Sequence, residues 1–134
     1  MWGPILEKAW AKVKGNYEAS EGGFTPNGIR SITGAPVFIY MTQDITDQSQ
    51  AFDLLTAAND IDYPMQAGTW GSDDSQRTTC GIASAHAYSI LETFLLNYNG
   101  EQIKMLLMRN PWGETYYSGP WSSDDSRWTD ELVA

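Results

Sequence analysis

Two β-prone runs, 86–97 and 102–109, flank the tetrapeptide Tyr98-Asn99-Gly100-Glu101. Asn-Gly between such runs is the strongest short-range hairpin signal, because both residues accept the positive φ that a tight turn needs. The chain is thereby committed to an antiparallel pair. Two strands joined by a hairpin have their outer ends side by side. His86 opens the first strand and Asn110 follows the second, so the pairing predicts that they meet at one sheet edge. Within the first strand His86, Tyr88 and Ile90 point one way, and Ala87, Ser89 and Leu91 the other.

Other segments fill in an α+β layout. Pro4 suits the first turn of a helix over 3–14, whose Ile5, Leu6, Ala9, Trp10 and Val13 form an apolar face ended by Gly15. Residues 17–36 are rich in Gly, Ser, Thr, Asn and Pro and read as an ordered loop. Pro36–Thr42 reads as a strand. A second helix is expected near 48–59, with Asp47 or Ser49 placed to cap it. Met65–Gly71 is a short strand, followed by a polar loop over 72–79. With no repeat or linker, residues 1–134 read as a single domain: an N-terminal helix, then a twisted antiparallel sheet.

Composition narrows the partners. A formal net charge of −9 repels phosphate, so nucleic acid and anionic membranes are excluded as expected partners. Excess carboxylate suits calcium in principle, but is read here as a soluble acidic surface. No apolar run approaches the roughly 20 residues needed to span a bilayer, and the N-terminus shows no secretory-signal pattern. A single cysteine provides no disulfide framework, which fits a reducing, cytoplasmic setting.

His86 is the only histidine, so any imidazole chemistry passes through it. An imidazole beside an amide is two thirds of a Cys-His-Asn arrangement. The Asn oxygen accepts from one ring nitrogen and leaves the other to take a proton from a thiol. Trp112, two residues beyond Asn110, is placed to cover the pair and exclude water, which strengthens their hydrogen bond.

These residues carry a family resemblance. Ala85-His86-Ala87-Tyr88-Ser89 and Arg109-Asn110-Pro111-Trp112-Gly113 resemble signatures of the calpain family of papain-like cysteine proteases. Leu6-Glu7-Lys8-Ala9-Trp10-Ala11-Lys12, Tyr17-Glu18-Ala19 with Gly22-Gly23, Thr33-Gly34 and Gly119-Pro120-Trp121-Ser122 also have counterparts there, whereas 43–79 match loosely. Calpains divide their protease core into a cysteine-bearing subdomain and a second, β-rich one bearing His and Asn. The resemblance implies that this chain is the second subdomain, with the first as its partner in a longer parent chain and proteins as substrates. By the same resemblance His86 is the general base, Asn110 its orienting partner and Trp112 the shielding indole. Gly22, Gly23 and Ala85 line the substrate cleft.

Three departures follow. Ala85 stands where the family usually has Gly. Tyr116 and Ser123 occupy places where the family begins its calcium ligands, with Asp124 and Asp125 shifted by one or two. No metal ligand is therefore assigned; this segment is expected to need no cofactor, and calcium belongs at most to the parent. The nucleophile is also missing. Cys80 lies six residues before His86, whereas papain-like chains place His and Asn about 130–150 residues after theirs, so Cys80 is not assigned that role. The alternative reading is a calpain-like scaffold or protein-interaction module without catalysis.

Overall fold

A computed structural model describes residues 1–133 and shows the hairpin at their centre. Asn99 (φ 52°) and Gly100 (φ 82°) both sit in the left-handed region, as a two-residue turn requires. They join β2 (Ala87–Tyr98) to β3 (Glu101–Arg109), paired antiparallel from Tyr98↔Glu101 to Ser89↔Arg109. On the other side β2 pairs with β1 (Met65–Gly68), from Met65↔Ile90 to Gly68↔Ala87. The sheet order is β1-β2-β3, antiparallel throughout. With its helices this is the expected α+β class.

The β2–β3 ladder slips by one residue between Ile90 and Glu92, leaving Leu91 as a bulge. The slip changes which residues share a face. Ile90 pairs with Met108 and Thr93 with Leu106, two residues apart on a regular strand, so Ile90 and Thr93 lie on one side. Both are buried, whereas Glu92, which unbroken alternation would put beside Ile90, is exposed. The bulge therefore turns an acidic residue outward while keeping the His86 end of the strand in register.

The chain divides into two compact units, one over Met1–Asp44 and one from Ile45 onward. In the first, α1 (Trp2–Lys14) forms where the apolar periodicity predicted it. Its stripe is less buried than expected: Ile5 and Val13 are exposed, and Ala11 is the buried position. Two expectations need correction. The supposed loop 17–36 contains a 3₁₀ turn, Glu18–Ser20, and α2 (Thr25–Thr33). Pro26 in the first turn and Gly34 as a left-handed C-cap delimit α2, and the loop-like composition hid those signals. Pro36–Thr42 is not a strand: the described residues of this unit hold no partner strand, and β propensity counts only against a neighbour.

The second unit opens with α3 (Gln48–Asn59), capped by Asp47, whose carboxylate accepts from Ser49 N at 2.8 Å. Buried Thr93 donates to Thr56 of α3 at 3.1 Å, so this buried hydroxyl is satisfied. Lys104 on β3 reaches Ser49 Oγ (2.6 Å) and Asp53 (3.3 Å), holding the first turn of the helix to the sheet. The core is small: Ala83, Ile90, Thr93 and Leu96.

Beyond β3 the chain packs Trp121 against Tyr98, with ring centroids 5.1 Å apart, and Trp128 against Trp121 at 5.0 Å. The segment ends in α4 (Asp130–Val133). Asp125 holds this corner. Its carboxylate accepts from Trp121 N (2.7 Å), Arg127 N (3.0 Å) and the Arg127 guanidinium. That guanidinium foremost, then the two backbone N–H groups, hold the carboxyl far below its usual range. A depressed folded-state pKa stabilises above the unfolded value and is lost as pH falls through the folded one. Asp125→Asn is thus expected to melt lower than the unaltered chain at pH 7, with the gap narrowing steadily below about pH 4. Thermal melts across pH 7 to 2.5 check this, and a gap unchanged by acid would refute it.

Candidate active site

His86 enters β2 held by its backbone. Its N–H donates to Thr69 Oγ1 (3.0 Å), and its carbonyl accepts from Thr69 N (2.9 Å), just past the end of β1. Thr69 Oγ1 in turn donates to the carbonyl of buried Ala83 at 2.7 Å. The imidazole therefore projects from a backbone fixed on both sides. Asn110 leaves β3 beside it, and Pro111 prevents the strand from continuing.

The predicted meeting occurs. His86 Nε2 lies 2.9 Å from Asn110 Oδ1. The amide's orientation follows from a second contact, since Trp112 N donates to the same Oδ1 at 3.1 Å. A backbone N–H needs an acceptor, so the atom facing both groups is the oxygen. An oxygen can only accept, so Nε2 carries the ring proton in the neutral imidazole. That leaves the lone pair on Nδ1, the nitrogen turned from Asn110. The arrangement thus supplies an oriented base of one defined tautomer.

Trp112 lies over the ring, with centroids 4.1 Å apart and planes inclined 38°. Tyr88 meets the ring edge-on at 4.9 Å, and its hydroxyl accepts from Ala83 N at 2.9 Å. His86 and Asn110 are half-buried, while Trp112 is 39% exposed. Tyr88 and Thr69 were not singled out from sequence. Tyr88 was findable, two residues from His86 on one strand face; Thr69 carried no signal.

Ala85 adjoins the pair and has φ 46°, a left-handed conformation costing an L-residue about 1 kcal/mol or more. Ala85→Gly relieves that strain but adds about 0.4–1 kcal/mol of unfolded-chain entropy. The two nearly cancel. Denaturant melts are expected to agree within about 0.5 kcal/mol, and a larger loss would show that the Ala85 methyl makes stabilising contacts. Gly22 and Gly23 belong to the first unit, between the 3₁₀ turn and α2. A Cβ at either would meet nothing within 4 Å, so the space above them is open.

Cys80 lies in a tight turn where Gly81 N donates to Thr78 O at 3.0 Å; its Sγ is 3.2 Å from Thr78 Oγ1. Tyr116, Ser123 and Asp125 fall near the family's calcium positions. Tyr116 and Ser123 bring no carboxylate, and Asp125 is engaged by Arg127 and Trp121. Among the described residues no three His, Cys, Asp or Glu side chains cluster to hold a metal. No helix there is long and apolar enough to cross a membrane.

The family model described as calpain family cysteine protease matches residues 1–132. The calpain-1 catalytic subunit of Homo sapiens is 35% identical over 137 aligned positions, covering 95% of this chain and 18% of that protein. That of Pongo abelii is also 35% identical, with the same coverage. Calpain-9 of Mus musculus is 29% identical over 136 positions, covering 95% of the chain and 19% of its own length. The chain thus spans under a fifth of these relatives. With the match running through both the His86 and Asn110 segments, the chain belongs to the calpain family of cysteine proteases.

Proposed function

We propose that this chain is the His- and Asn-bearing subdomain of a calpain-like cysteine endopeptidase, and that 1–134 form one domain of it. The observation that carries the reading is Asn110 Oδ1 accepting from both His86 Nε2 and Trp112 N. It presents Nδ1 as a base and leaves the amide no other orientation. The nucleophile is a cysteine of the partner subdomain in the same parent chain. His86 Nδ1 takes the thiol proton as sulfur attacks the peptide carbonyl, then returns it to the leaving amine. Water, deprotonated by the same nitrogen, hydrolyses the acyl-enzyme. Asn110 keeps the ring oriented throughout, and Trp112 keeps bulk water from the hydrogen bond.

Ala85, next to His86, lines the cleft and bonds the substrate backbone through its main chain. The substrates are proteins, cut at a limited number of peptide bonds, in the cytoplasm. This subdomain's share of the chemistry needs no cofactor, and any calcium requirement of the parent is met by ligands other than those near Tyr116. Alone, the chain is inactive, because no acyl-enzyme forms without the partner cysteine.

Mixing the chain with its separately produced cysteine-bearing half, and following a fluorogenic peptide with calcium or chelator, tests the reading. Cleavage that needs both halves supports a split protease. Association of the halves without cleavage, the cysteine being present, would replace it with a non-catalytic scaffold.

A further inference from the structure

Two loops flank the imidazole, one leading into His86 and one leading away from Trp112, and the structure clasps them together. The first folds back as a small ladder. Arg77 bridges Ala83, Thr78 N donates to Ile82 O (2.8 Å), and Ser84 N donates to Gln76 O (2.8 Å). Ala83 is 1% exposed, so the Arg77 backbone is anchored opposite a fixed point. The loops then meet, with Ser118 N donating to Cys80 O at 2.9 Å. The Arg77 guanidinium lies 4.1 Å from the Tyr116 ring centroid and 5.9 Å from that of Trp112. Tyr116 stands edge-on to Trp112 at 6.2 Å, and its hydroxyl donates to Glu114 at 2.6 Å. The indole over His86 therefore has the imidazole on one contact and the Arg77–Tyr116 pair on another.

We propose that Arg77 is a positioning residue of the catalytic site: its guanidinium, stacked on Tyr116 and beside Trp112, holds the indole over the His86–Asn110 pair. A planar cation suits the task. It spreads across two aromatic faces at once, which the compact ammonium of lysine does not do as well. Arg77 is exposed, so the attraction is of the modest, solvated kind, and the expected kinetic effect is a two- to fivefold loss of kcat with little change in KM.

The inference rests on the catalytic reading of His86, but its test does not need catalysis. His86 is the only histidine, so its ring protons are a single identifiable set in a proton–carbon correlation spectrum of the full 134-residue chain. Lying against the indole face, they are displaced upfield, and Trp112→Leu defines the unstacked position. Arg77→Ala is expected to move them most of the way to that position, and Arg77→Lys part of the way. A folded Arg77→Ala chain with His86 resonances where the unaltered chain has them would overturn the proposal. If the alanine variant fails to fold, Arg77→Met, which fills much of the arginine's space without its planar cation, is read by the same rule. Because the resonance reports geometry whether or not peptide is cleaved, failure here is distinguishable from failure of the catalytic assignment.

Discussion

His86→Ala is expected to lower kcat/KM of the assembled protease by about 10⁴-fold or more, the scale seen when the base of a nucleophilic triad is removed. The thiol then has no positioned acceptor for its proton, and the leaving amine no donor. Asn110→Ala is expected to cost less, about 10²–10³-fold, because it removes orientation and leaves the imidazole in place. Without Oδ1 the ring loses the contact that assigns its proton to Nε2, and Trp112 N loses its acceptor too. The double variant discriminates the roles. If Asn110 acts through His86, the pair of changes is no worse than His86→Ala alone, since there is no longer a ring to orient. Losses that multiply would mean that Asn110 contributes separately. Single-turnover kinetics on the reconstituted enzyme, with association of the halves checked for each variant, make the measurement.

The His86–Asn110 pair was legible because its information is local. Asn99-Gly100 specifies a two-residue turn, a turn specifies which strand ends adjoin, and His86 and Asn110 occupy those ends. What the sequence concealed depends on partners distant along the chain. The one-residue slip at Leu91 leaves no mark in the hydrophobic pattern, yet it decides that Thr93 rather than Glu92 shares the face of Ile90. Thr69 lies 17 positions from His86 and looks like any strand-end threonine, although it clamps the His86 backbone. The same cause misled over Pro36–Thr42, where β-prone residues lack a strand to pair with, and over 25–33, where Pro and Gly delimit a helix rather than fill a loop. Arg77 illustrates the limit best. A lone arginine in a polar loop signals nothing until Tyr116 and Trp112 are brought to it from about 35–39 positions away.

Gly81→Ala is expected to be the most damaging small substitution in the second unit. Two independent penalties coincide there. Gly81 has φ 83°, which costs an L-residue about 1 kcal/mol or more. A Cβ at this position would also lie 1.7 Å from Tyr116 O and 2.6 Å from Tyr116 C, inside any tolerable contact. Both atoms are backbone, so no side-chain rotation relieves the clash; the loop after Trp112 must move as a whole. Overpacking of this kind costs about 1–3 kcal/mol, and the movement also breaks the Ser118 N to Cys80 O bond, worth about 1 kcal/mol. A total of about 3–5 kcal/mol is a large share of a domain's usual 5–15 kcal/mol and lowers Tm by about 10–20 °C. Gly119→Ala provides the contrast. Its obstacle is the Tyr117 ring, 2.5–2.7 Å from the added Cβ, and a side chain can swing aside. The Gly119 variant should therefore melt well above the Gly81 one. Comparable melting of the two, or a Gly81→Ala chain within about 0.5 kcal/mol of the unaltered one, would show that the loops yield freely and that the clasp does not hold Trp112 in place.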